Sequence, residues 1–274
     1  MFVHLNNRAL IGVYGSDAEA FLQNQLSNDI NKLDISSVQL NAYCQHQGKI
    51  LSLFWVMRND KGFFLSFPLD LLDSIKSRLQ MFVIMSDVVI EDITTEYIQV
   101  GSIGEAHQGA LIINDKLSVI ITDKEDINKF NMGSKDDWDM ACIDSLLPEI
   151  YSITSEKLVP QMLNLDINEF GVNFSKGCYP GQEVVARLHY LGSAKRRLFA
   201  FEASSEAHIG DSLYCPSSKS AKARGARYKS SGIVIFRIRY NSHFYCLATL
   251  EVELKDAKIT LKNQHGPKLK RIKK

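Results

Sequence analysis

The sequence predicts an α+β fold that ends in a small C-terminal β-barrel, and three observations carry this prediction. Strand-like segments alternate with single amphipathic helices over residues 1–192, a pattern typical of α+β units around a mostly antiparallel sheet. From residue 193 to 274, short strands lie between turn-rich stretches, which favours a barrel or sandwich. The 274 residues suffice for two or three buried cores. We therefore place a boundary near 192–194, after two interleaved α+β subdomains.

Apolar periodicity and turn signals give the elements in order. Ser16 and Glu19 form a capping-box pattern, so we expect a helix there with Phe21, Leu22 and Leu26 in the core. Further helices are expected near 69–80, from 134 toward Pro148, and at 182–187. Strands are expected at 9–14, 38–44 (half-buried), 50–57, 63–67 (after a 59–62 hairpin), 87–93, 97–101, 110–113, 117–122, 197–201, 232–239, 244–250 and 258–261, with a loop at 217–222.

Composition narrows the class of protein. The chain is 45% hydrophobic and 23% charged, as soluble globular proteins are, and no apolar run approaches the roughly 20 residues that cross a bilayer. The N-terminus lacks the pattern of a signal or transit peptide. Five scattered cysteines without a CxxC pair argue against a disulfide framework and against a self-contained metal or cluster site. We expect a cytoplasmic protein without membrane contacts.

Charge is divided unevenly along the chain. From residue 193 onward there are 18 Lys and Arg against 6 Asp and Glu, or +12, whereas the preceding part has 14 against 25, or −11. Such asymmetry can mark a face for nucleic acid or for an acidic partner. It is equally compatible with a solvated surface plus a flexible basic tail over 268–274, or with two halves that attract each other.

The most informative stretch runs from Lys176 to Arg187 and reads K-G-C-Y-P-G-Q-E-V-V-A-R. Its glycines favour a turn, and Pro180 suits the first position of the helix that follows. Cys178 lies just ahead of this helix and two residues from the ammonium of Lys176, a setting that favours the thiolate form. A small buried cysteine in a Gly-Pro turn is the alternative.

This stretch resembles the hallmark K-G-C-Y-x-G-Q-E of YgfZ-type folate-binding proteins. Three companion segments are also similar to that family: V-P-Q-M-L-N-L at 159–165, K-R-R at 195–197, and F-L-Q-N-Q-L-S-N-D at 21–29, together with Gly48-Lys49. The resemblance is densest over 8–57 and 138–197.

The resemblance implies a fold shared with the aminomethyltransferase (T-protein) of glycine cleavage. In that fold, domains ring a central channel that binds tetrahydrofolate, and a β-barrel lies at the C-terminus. It also implies a role in assembling or repairing iron–sulfur enzymes, including a radical enzyme that thiolates tRNA. The expected cofactor is thus tetrahydrofolate or another folate, and the expected partners are iron–sulfur client enzymes.

Individual positions carry implied roles. Lys176 and Cys178 fall on the lysine and cysteine of the family motif, so we expect a functional thiol with a supporting ammonium. Glu183 falls on the motif glutamate and is expected to bind the pterin, since a carboxylate can pair with two adjacent N–H groups. Trp138 matches a folate-contacting tryptophan, unless it is a core residue. Arg8 replaces a second such tryptophan in some relatives and could stack on the folate or meet its glutamate tail.

One departure bears on the reaction. T-proteins carry Gly-Gly-x-x-Asp-Asp where this chain has Ser52 and Leu53, and serine cannot supply the missing negative charge near neutral pH. This argues against a classical aminomethyltransferase. We therefore favour a folate-dependent iron–sulfur maturation factor over a folate-dependent aminomethyltransferase or demethylase. A tRNA-binding module is the third hypothesis, but the basic half shows no RNA-binding signature, which argues against direct nucleic-acid binding.

Overall fold

The structure is a computed structural model that describes residues 1–104, 107–216 and 228–273. The loop predicted at 217–222 lies outside these residues. Three sheets organise the described chain: a five-stranded sheet, a four-stranded sheet and a closed six-stranded barrel. The helices within these ranges have eight to ten residues each, so none of them can span a bilayer.

The elements follow one another along the chain as strands and four short helices. In order they are β1 (Phe2–His4), β2 (Arg8–Tyr14), α1 (Ala18–Gln25), β3 (Gln39–Cys44), β4 (Ile50–Asn59), β5 (Gly62–Pro68), α2 (Leu72–Gln80), β6 (Val89–Asp92), β7 (Tyr97–Ile103), β8 (Leu111–Ile112), β9 (Leu117–Asp123), α3 (Lys135–Asp144), α4 (Gln182–Tyr190), β10 (Arg196–Ala203), β11 (Ser212–Pro216), β12 (Tyr228–Tyr240), β13 (His243–Glu251), β14 (Ile259–Leu261) and β15 (Lys268–Arg271).

The five-stranded antiparallel sheet has the order β3-β4-β5-β2-β6. The predicted hairpin joins β4 to β5, with Asn59 opposite Gly62. The prediction of a half-buried β3 is wrong, because every residue of β3 after the first is buried. Residues 26–28 cover this strand: Ser27 N–H donates to the carbonyl of Ala42 (3.1 Å), and Leu26 bridges to Tyr43.

Helix α3 packs on the four-stranded sheet, whose order is β1-β7-β9-β8, and reaches both other sheets. Ser134 caps it as predicted, because its hydroxyl accepts the N–H of Asp136 (3.1 Å). The ring of Trp138 lies on Gly101 of β7 and 6.2 Å, centroid to centroid, from the ring of Trp55 in β4. Helix α3 also contacts β12 of the barrel, so this one helix contacts strands of all three sheets.

The C-terminal strands close into a barrel of order β10-β13-β12-β11-β14-β15, which together with the two sheets confirms the predicted fold class. The sequence did not predict β11 or β15. The flexible basic tail considered above is wrong for 268–271, because β15 pairs with both β10 and β14 and completes the barrel.

Two predicted helix starts differ from the structure. The Ser16 side chain caps no helix and instead donates to Asp87 (2.8 Å), while Asp17 occupies the N-cap of α1. Pro180 precedes α4 rather than opening it, since Gly181 is the N-cap in a left-handed conformation. In both places a contact between distant residues determines the helix start: Ser16 with Asp87, and Gly181 with the turn at Gln45 and Gly48.

Candidate functional site

The side chain of Lys176 is buried, with 8% of the residue exposed, and its ammonium faces main-chain oxygens. Nζ donates to the carbonyls of Gln23 (2.5 Å), Leu26 (2.5 Å) and Asn28 (3.0 Å), at and just beyond the C-terminus of α1. A cation is favourable there because the last carbonyls of a helix carry partial negative charge. An ammonium has three donors. All three are used, so the expected support of the Cys178 thiol by this ammonium is not what the structure shows.

Burial lowers the pKa of Lys176 to about 8, and the nearby negative charge of Asp29 opposes that shift. The amine is therefore still charged at neutral pH and can fill its three donor positions. The ring of Tyr179 lies beside it, with its centroid 5.3 Å from Nζ. Lys176 thus ties the motif loop to the end of α1 through a buried charge.

Two glycines dock the motif loop on the turn between β3 and β4. Gly181 has φ +83°, and a Cβ there would lie 2.6 Å from the carbonyl oxygen of Gln45 and 2.7 Å from Cα of Gly48. Gly48, with φ +74°, in turn lies against Val184 of α4. Only glycine permits both the left-handed backbone and this approach. Gly177 differs, because no described atom lies within 4 Å of a Cβ built there.

Cys178 is the accessible thiol of the protein. All five cysteines lie in the described part of the chain, and the other four are buried. Burial raises the pKa of Cys44 and Cys246 to about 12 and that of Cys215 to about 11, and it also raises the pKa of Cys142. The exposure of Cys178 excludes the alternative of a buried packing cysteine.

A cavity of about 260 Å³ lies beside the exposed end of the β3–β4 pair. Its walls are mainly aliphatic and amide residues with two aromatic residues, one serine, one cation and one carboxylate. Its lining residues are Asn28, Lys32, Leu33, Ser37, Val38, Gln39, Leu40, Trp55, Ile113, Leu147, Glu169, Phe170 and Asn173.

Asn28 connects this cavity to the motif. Its carbonyl accepts the Lys176 ammonium, while its own side chain donates to the carbonyl of Leu40 (3.2 Å). The Asn28 N–H donates to the side chain of Asn41 (2.9 Å). Because Asn28 lines the cavity, the buried lysine of the motif helps to fix the cavity wall.

Glu169 lies at the exposed edge of the same cavity on a constrained backbone. Asn168 and Glu169 both adopt left-handed conformations, with φ of 53° and 54°. For residues other than glycine such conformations cost about 1–3 kcal/mol each and persist only where the surroundings hold them. The Asn173 side chain donates to one carboxylate oxygen of Glu169 (2.9 Å), which orients the group at the cavity.

None of the three residues predicted to bind the cofactor lines this cavity. Trp138 is 3% exposed and packed on Gly101, and Arg8 is 6% exposed and stacked on Trp55, so neither lines the cavity. Both border a much smaller space of about 20 Å³ that Glu149 also lines.

Glu183, the expected pterin ligand, points to solvent. Its side chain is 83% exposed and pairs with Arg187 one helical turn away (2.8 Å). The position of the T-protein aspartate also carries no charge, since Ser52 and Leu53 are both buried. The Ser52 hydroxyl has no hydrogen-bond partner among the described residues.

No sequence pattern predicted that Trp55, Glu169 and Asn28 line a common cavity. Asn28 belongs to the 21–29 segment that resembles the family, which was an available signal. Glu169 had none, because the paired left-handed residues and the Asn173 contact are visible only in the folded chain.

The fold resembles that of an aminomethyltransferase. The whole chain superposes, with a TM-score of 0.65, on 84% of the crystal structure of glycine cleavage system aminomethyltransferase T from Bartonella henselae. The two sequences are 10% identical, so this likeness shows the fold alone.

Sequence relatives identify the family. The chain is 34% identical over 220 residues to an uncharacterized protein of Haemophilus influenzae, covering 77% of this chain and 78% of that one. It is 29% identical over 238 residues to the tRNA-modifying protein YgfZ of Colwellia psychrerythraea (74% and 72% covered) and 26% over 278 residues to that of Aliivibrio fischeri (91% and 85%). No protein-family model matches the chain. The chain belongs to the YgfZ family, as its motif predicted.

The two glycines of the motif should respond differently to the same substitution. We expect Gly181→Ala to destabilise the protein by about 2–4 kcal/mol, because it adds a left-handed penalty to a backbone clash. Gly177→Ala should stay within about 0.5 kcal/mol of the wild type. Urea denaturation measures both. Equal losses for the two variants would show that Gly181 does not dock the loop as described.

Proposed function

We propose that this protein is a folate-binding accessory factor for the assembly or repair of iron–sulfur enzymes, and that it supports tRNA thiolation through them. The main observation in favour of folate binding is the cavity beside Trp55, because it combines an apolar lining that includes Phe170 with an oriented carboxylate in an aminomethyltransferase-like fold. The family relation supports the link to tRNA, since relatives are named tRNA-modifying proteins.

The chemistry of the cavity suits a pterin. Phe170 offers aromatic surface for a flat heterocycle, the almost fully buried Trp55 borders the cavity, and Glu169 can accept the adjacent N–H groups on the edge of the heterocycle. Lys32 lines the same cavity and would attract the glutamate carboxylates of the tail. The 260 Å³ volume is below the roughly 300–1,000 Å³ of pockets that enclose whole drug-sized ligands. The cavity would therefore hold the pterin head and leave the tail outside.

Cys178 supplies the second part of the proposal. An exposed thiol on a fixed loop can hold sulfur, iron or a client protein transiently. One cysteine cannot hold a cluster alone, and no set of three metal-binding side chains occurs in the described ranges. The remaining ligands would come from the client or from small thiols.

The competing hypotheses find less support. Aminomethyl transfer lacks the family carboxylate at Ser52 and Leu53, and direct binding of tRNA would need free cations on the basic half. Some of these cations are ion-paired (Arg197 with Asp166, Lys229 with Glu251, Arg237 with Glu206 and Arg271 with Asp256), but the half keeps a net charge of +12. Its sequence nevertheless contains no RNA-binding signature. We therefore infer an indirect action on tRNA.

Folate binding is tested by calorimetric titration with tetrahydrofolate under reducing conditions. We expect Glu169→Gln to weaken binding about 10- to 100-fold, because a charged hydrogen bond is worth roughly 1.5–3 kcal/mol. The control is Glu183→Gln, which changes the glutamate that sequence reasoning favoured and should leave the affinity unchanged. A larger loss of affinity for Glu183→Gln than for Glu169→Gln would place the binding site at α4. An absence of binding to the wild type would reject the folate proposal.

The role of the thiol is tested by complementation in a strain lacking the gene. We expect Cys178→Ala to fail to restore iron–sulfur enzyme activity and tRNA thiolation while it stays folded, because an exposed substitution costs little stability. Cys246→Ala, which removes a buried thiol of the barrel, should rescue both. Full rescue by Cys178→Ala would remove this thiol from the mechanism.

A further inference from the structure

Trp55 lies between the cavity and a buried arginine. It is 1% exposed and belongs to the cavity wall. Cζ of Arg8, which does not line the cavity, lies 3.5 Å from the centroid of the Trp55 ring, a stacking contact between a guanidinium and an aromatic face. The orientation of the indole therefore depends on where this guanidinium is held.

The Arg8 guanidinium is held at three points. Its Nε donates to the Ser66 hydroxyl (2.7 Å), its Nη2 donates to the Ser66 carbonyl (3.0 Å), and its Nη1 pairs with the Glu149 carboxylate. Behind Ser66, the Gln99 side chain donates to the carbonyls of Arg8 (3.3 Å) and Ala9 (3.1 Å). The group is fixed in both position and plane, which is the arrangement expected of a support for another side chain.

The pairing with Glu149 explains why the arginine can remain buried. One Glu149 oxygen pairs with Arg8, and the other has no hydrogen-bond partner in the part of the chain that the structure describes. Burial raises the pKa of Glu149, and the charge of Arg8 opposes that shift. Removing the arginine charge would leave this carboxylate buried and unpaired, at a large cost in stability.

We propose that Arg8 is a positioning residue for the pterin site: it fixes the plane of Trp55 from behind and does not touch the ligand. This inference rests on the proposed function, because it assigns the part that Arg8 plays in the same cavity. It replaces the expectation that Arg8 contacts the folate directly. It also gives a function to a buried ion pair that lines no part of the cavity.

The test uses Arg8→Lys, which keeps the charge beside Glu149 and removes the planar, bidentate group. We expect tetrahydrofolate to bind roughly ten-fold more weakly in calorimetry, the scale of losses when supporting residues of a site are changed. Arg58→Lys is the matched control, because Arg58 also stacks on a ring, Phe63 at 4.8 Å, and pairs with Glu19. It lies outside the cavity lining and should leave the affinity unchanged.

A second readout distinguishes positioning from general damage. With Trp138→Phe in every protein compared, fluorescence reports Trp55 alone. Arg8→Lys should alter the anisotropy of the ligand-free protein and its quenching by acrylamide, whereas Arg58→Lys should alter neither.

The outcomes separate the two proposals. If the wild type binds and Arg8→Lys binds equally well, the positioning role is overturned and the folate proposal stands. Equal weakening by Arg8→Lys and Arg58→Lys would also overturn the role, because the loss would then follow stability. If the wild type does not bind tetrahydrofolate, both proposals fall together.

Discussion

The buried ammonium of Lys176 connects the parts of this protein that bear on function. Its three hydrogen bonds hold the end of α1, the following turn and the motif loop at one point. Without it, buried carbonyls would lose their partner, at about 1–3 kcal/mol for each group left unsatisfied. One of those carbonyls belongs to Asn28, which also lines the cavity. The hydrogen bond from Lys176 to Asn28 therefore joins the motif loop to the cavity wall, although the two are far apart in the sequence.

Within the motif, neighbouring residues have separate tasks. Lys176 anchors the loop from inside, and Gly181 docks it on the turn that contains Gly48. Cys178 is left on the outside, where a client protein or a small thiol can reach it. A rigid loop with one exposed thiol suits transient chemistry with a partner, because the thiol is presented without being part of the core. At the cavity, Trp55 is supported in a similar way by Arg8, which is itself held by Ser66 and Glu149.

Local signals in the sequence predicted the sheets, the hairpin at 59–62 and the C-terminal barrel, and the motif predicted the family. The structure differs from the local expectation where contacts between distant residues determine the arrangement. Lys176 is two residues from Cys178, yet its ammonium binds residues about 150 positions away. Glu183 is on the motif helix, but Val185 takes the buried face, and two residues at about 100° each turn Glu183 toward solvent. Glu169 depends on a backbone conformation that no residue pattern announced.

The most direct test of this account is competitive covalent labelling of the native protein, read by mass spectrometry. An amine-acetylating reagent and a thiol-alkylating reagent are applied at neutral pH, and the exposed Lys32 serves as the internal reference. The account predicts rapid alkylation of Cys178 together with acetylation of Lys176 at least ten-fold slower than that of Lys32. The lowered pKa of Lys176 leaves more of its amine neutral, but burial and three hydrogen bonds keep the reagent from it. Acetylation of Lys176 at the rate of Lys32 would contradict it, because the motif lysine would then be free to serve the thiol.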